Sequence, residues 1–243
     1  MRNDDGGDLV IVGSGGFGRE TAEAVRALAA AGTSWRLLGF IDDDPNRAGE
    51  AVDGTPVLGG REELKRLPDA RVVVCTGRPG DYVSRPRIVS ELDLPPERYA
   101  TLIHPSAVVS SSSSVGPGSV LLACTVLTAA VRVGSHVAVM PHVTLTHDDV
   151  IEDFATLASR SALGGGVRVG RCAYIGAGAI IGEQRVVGEL ALVGMGAVVT
   201  KDVPAREVWT GVPARRMRAT NIPGEADHPL ETVRALRRRP LGR

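Results

Sequence analysis

Aromatic rings and long apolar runs are what this chain has least of. Aromatics make up 3% of the 243 residues although hydrophobic residues make up 43%. A core with that balance is aliphatic and narrow, since each ring needs roughly 150–250 Å² of buried surface. No apolar run approaches the ~20 residues of a membrane-spanning helix, which argues against a membrane protein. The opening stretch Met1 to Asp8 is polar and acidic, unlike a secretory signal, so the expected location is cytoplasmic. Lys+Arg and Asp+Glu both number 28, so no charge excess points to nucleic acid or a membrane surface as partner. Cys75, Cys124 and Cys172 lack metal-ligand spacing, and they read as reduced, buried thiols with no metal expected.

What the chain does have is a ladder. Every sixth residue from Ile103 to Val199 is aliphatic, through Val109, Val115, Leu121, Leu127, Val133, Val139, Leu145, Ile151, Leu157, Leu163, Val169, Ile175, Ile181, Val187 and Val193. Neither a helix nor a flat strand has a period of six. A chain that turns a corner every six residues does, with one inward side chain per flat face, and this is the hexapeptide β-helix signature. Three faces make a coil of eighteen, so residues eighteen apart lie one above another. Glycine follows the ladder residue at Gly116, Gly134, Gly164, Gly170, Gly176, Gly182, Gly188 and Gly194, where we expect the backbone to bend into conformations costly for a Cβ. Four residues after it the chain is mostly small or β-branched.

Before the ladder, strands alternate with helices. Asp8 to Val12 and Trp35 to Ile41 read as buried strands and Arg71 to Cys75 as a third, with helices over Arg19 to Ala31 and Asp81 to Leu92. That alternation predicts a parallel sheet with ligands outside the carboxyl ends of its strands. Gly13-Ser14-Gly15-Gly16-Phe17-Gly18 follows the first strand and opens a helix, where backbone N–H groups suit a phosphate. Asp42 and Asp43 close the second strand, in position to accept hydrogen bonds from a ribose or a base. About 100 residues are too few for a full dinucleotide fold. The loop therefore reads as a nucleotide or nucleotide-sugar site, with NAD and a ligand-free tight turn as alternatives.

Polar residues are conspicuous on the ladder at His136, His142, His147, Asp148 and Asp149. A neutral imidazole at 147 can take a proton near pH 7, and a neighbouring carboxylate can orient it or stabilise the imidazolium. Gly165 lies eighteen residues on, one coil away, where a backbone N–H can meet a developing oxyanion. Base and oxyanion donor in one column suffice for acyl transfer. A surface histidine at a coil corner is the alternative.

Several segments together resemble one family. They are 12–20 (VGSGGFGRE), 40–43 (FIDD), 103–107 (IHPSA), His147-Asp148, 198–204 (VVTKDVP) and 211–215 (GVPAR), in order across roughly residues 8 to 217. The chain resembles the bacterial sialic-acid O-acetyltransferase and nucleotide-amino-sugar N-acetyltransferase family. The resemblance implies an α/β Rossmann-like domain (1–100) followed by a left-handed parallel β-helix (101–218); the tail (219–243) leaves the ladder and reads as solvated, with a short helix over 230–239 as the alternative. It implies acetyl transfer from acetyl-CoA to an amine or hydroxyl of a nucleotide-linked sugar, His147 as general base, Asp148 as its acidic partner and Gly165 as the amide facing the thioester carbonyl. It implies acetyl-CoA contacts at Thr156, Ala177 and Met195; Arg215 and Arg216, just after the Gly-Val-Pro-Ala turn, are placed to meet the CoA phosphates, with solvent-facing charge as the alternative. The acceptor nucleotide falls to Gly13, Ser14, Gly15, Gly16, Phe17, Gly18, Asp42 and Asp43, and the assembly to a homotrimer with acetyl-CoA between prisms. The chain departs from the family pattern at Met140, Pro141, Thr156 and Arg160, and at Asp149, where a cysteine is common. Those departures keep a second reading open, a non-catalytic nucleotide-binding trimeric scaffold. The spacing of His104, His142 and His147 weakly allows a third, a metalloenzyme of the γ-carbonic-anhydrase type.

Overall fold

The computed structural model describes residues 6–221. The front domain runs β1 (Gly6–Val12), α1 (Gly16–Ala30), β2 (Ser34–Ile41), β3 (Ala51–Val52), β4 (Thr55–Gly59), β5 (Arg71–Val74) and α2 (Ser84–Leu92). These form one sheet in the order β3-β4-β2-β1-β5. All neighbours are parallel except the β3–β4 hairpin. Strand β1 is apolar from Leu9 to Val12, where both its faces are covered. Leu9 and Ile11 pack with Ala22, Val25 and Leu28 of α1, while Val10 and Val12 pack with Leu64 and Val72 on the opposite side. The first two helix and strand expectations hold, with α2 beginning three residues later than read. The β3–β4 hairpin was not anticipated. Its turn is Asp53-Gly54, with φ of 49° and 75°, the backbone a two-residue hairpin needs.

Seventeen two-residue strands follow, from Leu102–Ile103 to Val198–Val199, and each ends on a ladder residue. They pair in parallel at a spacing of eighteen, as Val126 with Thr144 and Arg132 with Val150 do. Three faces result. The first begins at Leu102–Ile103, the second at Val108–Val109 and the third at Ser114–Val115. Val115 through Val199 of the ladder join the small residues four positions on in one continuous core.

The glycines after the ladder residues serve a different purpose from the one expected. Left-handed backbone occurs two residues later, at Cys124, His136, His142, Asp148, Phe154 and Arg160 among others, with φ between 55° and 64°. The glycines are instead places where coils touch. A Cβ at Gly116 would lie 2.7 Å from the Gly134 carbonyl, and one at Gly170 would lie 2.6 Å from the Glu189 nitrogen. The strained corners are offset by hydrogen bonds to the coil below, His136 N–H to Pro117 O and Asp148 N–H to Ala129 O.

The front domain rests on the first face. Leu102, Val120 and Leu122 pack into the α1 side of its core. Arg85 of α2 is 1% exposed and pins the junction. Its guanidinium donates to the carbonyls of Thr76, His136, Phe154 and Ala155 and to Thr156 Oγ1 at 2.6–3.1 Å. Burial lowers its pKa to about 10, so it stays charged at neutral pH. A hairpin of Glu207–Thr210 and Arg215–Ala219 extends the far end of the same face. The short helix expected over 230–239 lies outside the described residues. The cysteine expectation needs one correction. All three are free and Cys75 and Cys172 are buried, but Cys124 is exposed, because it stands on an outward corner where the backbone turns left-handed.

Candidate active site

The three histidines that look clustered in sequence occupy three different corners. One hexapeptide carries the chain past one corner, so His136, His142 and His147 each follow a strand of a different face. His136 is buried between the Tyr99 ring (4.6 Å, edge-on) and the Phe154 ring (5.0 Å, stacked), and burial lowers its pKa to about 4. His142 is exposed on the corner between the first and second faces, away from His147.

His147 stands on the corner between the second and third faces, with its side chain 66% exposed. Its Nδ1 lies 2.9 Å from Asp148 Oδ2. A carboxylate only accepts, so Nδ1 carries the proton and Nε2 is the basic nitrogen. The Asp148 hydrogen bond raises the His147 pKa, with smaller electrostatic help from Asp149 and Glu183. One coil above, Gly165 lies against the ring. A Cβ there would collide with Nε2, so only glycine leaves the imidazole its position. Among the described residues the Gly165 N–H enters no ladder bond, while its carbonyl accepts from Gln184 N–H. The corner therefore brings together a base nitrogen, its acidic partner and an amide on neighbouring coils.

The remaining expected residues divide. Ala177 and Met195 share one corner column, as their spacing implies, and the Gly196 N–H donates to the Ala177 carbonyl. That column lies between the first and second faces, so the second face separates it from His147. Thr156 is displaced from the expected acetyl-CoA set. It is 6% exposed on the first face and its hydroxyl accepts from Arg85, which closes it under the front domain. Arg215 and Arg216 lie exposed on the terminal hairpin, and Arg216 is ion-paired with Glu207 at 2.8 Å.

In the front domain, Gly13 has φ 100°, and a Cβ there would lie 2.8 Å from the Cys75 carbonyl. Gly18 touches the Gly13 carbonyl, which brings α1 against β1, whereas Gly15 and Gly16 face open space. Ser14 is turned inward. Its hydroxyl and its N–H both donate to Asp42, whose other oxygen accepts from Asp44 N–H. Partial burial pushes the Asp42 carboxyl up, but the hydrogen bonds from Ser14 and Asp44, with Arg47, bring it below its ordinary value. Asp43 is ion-paired with Arg61 at 2.8 Å, and Phe17 packs against the core. Asp42 thus fixes the loop, and the open glycines leave its backbone accessible. Sequence reasoning missed Arg85, whose bonds tie the front domain to the prism.

Known proteins share this sequence pattern and fold. Residues 8–92 match the PglD N-terminal domain. A UDP-N-acetylbacillosamine N-acetyltransferase of Bacillus subtilis is 33% identical over 118 residues, 48% of this chain and 51% of that protein, so the chain spans about half the length of the curated relative it matches. The acetyltransferase domain of PglB from Neisseria gonorrhoeae superposes with a TM-score of 0.75 at 30% identity, over 86% of this chain and 99% of that one. PerB from Caulobacter crescentus, solved with CoA and GDP-perosamine, superposes with a TM-score of 0.77 at 30% identity, over 87% and 97%. The chain belongs to the bacterial left-handed β-helix sugar acetyltransferases, a family of acyltransferases. The coil is accordingly left-handed.

Proposed function

We propose that this protein transfers the acetyl group of acetyl-CoA to an amine on a nucleotide-linked sugar, with His147 as general base. The observation that carries this reading is the stacking of the His147 ring on Gly165 with Nδ1 tied to Asp148. The similar proteins supply the substrate classes. One is a UDP-sugar N-acetyltransferase, and another holds CoA and GDP-perosamine.

The chemistry follows from the atoms in place. The amine arrives neutral, because an ammonium has no lone pair for attack. Its nitrogen adds to the thioester carbonyl while Nε2 of His147 takes a proton, and Asp148 stabilises the imidazolium that forms. The oxyanion meets the Gly165 N–H. Collapse releases the CoA thiolate, which takes the proton back from His147. The nucleotide lies over the Gly13 to Gly18 loop, at the carboxyl ends of β1 and β5 and against the start of α1.

The reading includes a homotrimer. The second face carries outward Val108 and Ile180, 61% and 52% exposed, an apolar column suited to cover by another copy. His147 borders one edge of that face and the Ala177–Met195 column the other. A neighbouring prism then completes a thioester cleft that one prism leaves divided, with Arg215 and Arg216 offering charge to the CoA phosphates. Among the described residues no helix is long and apolar enough to cross a membrane. The reading places the enzyme with acetyl-CoA in the cytoplasm.

The test is a panel of UDP-, dTDP-, GDP- and CMP-linked amino sugars with acetyl-CoA, read by release of free thiol. Mass spectrometry then locates the new acetyl group. Sugar-dependent thiol release is expected for at least one nucleotide, and thiol release that no sugar stimulates would overturn the reading.

A further inference from the structure

Among the described residues, the series of coil-to-coil bonds that follows the ladder residues from His104 to Gly182 breaks once, beside His147. At every other position following a ladder residue from His104 to Gly182, the backbone N–H donates to the ladder carbonyl of the next coil. Thr128 donates to Leu145 O, Met140 to Leu157 O and Gly164 to Ile181 O, all at 2.9–3.1 Å. The corresponding bond from Thr146 N–H to Leu163 O is missing among the described residues. Pairing of the two strands there is reduced to Thr144 with Ala162.

Two side chains replace the missing rung. Thr146 N–H donates to Asp149 Oδ2 at 2.8 Å, and the Thr146 hydroxyl donates to the Leu163 carbonyl at 3.0 Å. The other carboxyl oxygen, Oδ1, accepts Val167 N–H from the coil above at 2.8 Å. Asp149 is fully buried, in a column whose other buried members are small or β-branched. Ser113 and Ser119 hold its register elsewhere, and each accepts the N–H eighteen residues on, Val131 and Val137. A serine makes that upward bond but has no second oxygen for the N–H three residues back. Asp149 has both, and it ties the two ends of the turn 146–149 together.

We infer that Asp149 is a positioning residue for the His147–Asp148 pair, its buried carboxylate and the Thr146 hydroxyl together fixing the turn that carries the imidazole over Gly165. A buried carboxylate is costly to keep where a serine suffices for the coil. Burial raises its pKa to about 6, which the two backbone hydrogen bonds oppose. What the carboxylate adds over a serine is the hold on Thr146, one residue from the base. A misplacement on the order of 1 Å at a catalytic base costs about a hundredfold in rate.

The role in catalysis rests on the acetyltransferase reading, and the test separates the two. With the best sugar of the panel, Asp149→Ser and Thr146→Val are expected to lower kcat roughly 10- to 100-fold while KM for acetyl-CoA changes less than about threefold. Thr146→Ser, which keeps the hydroxyl, restores kcat relative to Thr146→Val. The second readout needs no turnover. In the full-length protein with labelled histidine, NMR follows the His147 ring, whose charged neighbours are Asp148, Asp149 and Glu183. In Thr146→Val, which removes no charge, its titration midpoint moves down toward the ordinary histidine value as the ring loses its place beside Asp148, and Thr146→Ser restores it. If Asp149→Ser does not fold, Thr146→Val carries the test through kcat and the Thr146→Ser rescue. Unchanged kcat in the folded variants, or a His147 midpoint unmoved in Thr146→Val, overturns the inference. Wild-type protein inactive on the whole panel overturns the function instead, and the NMR titration still decides the clamp.

Discussion

The imidazole of His147 stands on Gly165, and the missing Cβ at 165 is what lets Nε2 occupy that place. Gly165 does not need glycine for its backbone, because its φ lies outside the left-handed region. The constraint is contact with a side chain that can swing away. Gly165→Ala is therefore expected to fold normally, with a change within about 1 kcal/mol, and to lose roughly 10- to 100-fold in kcat as the ring is displaced. Steady-state kinetics beside a melting curve checks both halves, and unaltered kcat would contradict the stacked geometry.

Asp148 holds the Nδ1 proton and raises the His147 pKa. The base works only when deprotonated, so kcat/KM should rise with pH through that raised pKa. In Asp148→Asn the midpoint of the rise should move to lower pH, since a neutral amide favours the imidazolium less. The rate above it should also fall, because the imidazolium formed during transfer loses its carboxylate. A pH–rate profile for wild type and variant decides the point, and superimposable profiles would remove Asp148 from the account.

Arg85 joins the two domains by donating to five acceptors at a buried junction. Arg85→Met keeps the length of the stem but leaves those carbonyls without a donor. Unfolding in urea should show a loss on the order of 3–5 kcal/mol, comparable to stripping one partner from a buried polar pair. A loss below about 1 kcal/mol would mean that the junction is held by its apolar contacts alone.

His136 supplies a pH dependence of stability. Its folded pKa is lowered to about 4, against about 6.5 when unfolded. The unfolded chain binds a proton that the native chain refuses, so this contribution is present above pH 6.5 and is lost as pH falls toward 4. The loss is roughly 3 kcal/mol. His136→Asn suits the left-handed backbone and removes the titration, so its stability relative to wild type should improve by that amount between pH 7 and pH 4. Stability curves that stay parallel would place the imidazole in a wetter site than the Tyr99–Phe154 sandwich.

Much of this architecture was legible because a period of six has one cheap structural solution. The ladder located every strand of the prism, and it put His147 and Gly165 one coil apart. It did not reveal why glycine follows the ladder, since close contact between coils and a left-handed φ both select glycine; the left-handed corners fall two residues later on His136, His142 and Asp148. Nearness in sequence does not bring the histidines together, because one hexapeptide moves a residue to another corner. The Asp53-Gly54 hairpin carried its usual signal but was masked by strands of two and five residues. Arg85 and Thr156 could not be paired from sequence, because their bond spans 71 positions and depends on how the domains dock. Asp149 was visible as a carboxylate in a column of small residues, yet its hold on Thr146 needed the geometry of a broken rung.

The central claim is that the imidazole at 147 is the proton acceptor in acetyl transfer. Its most direct test is kcat of His147→Ala, saturated with acetyl-CoA and with the sugar that wild type acetylates, in protein whose melting curve matches wild type. A fall of at least ~100-fold, with thiol release still dependent on the sugar, is the result predicted. Turnover within a few-fold of wild type would contradict it.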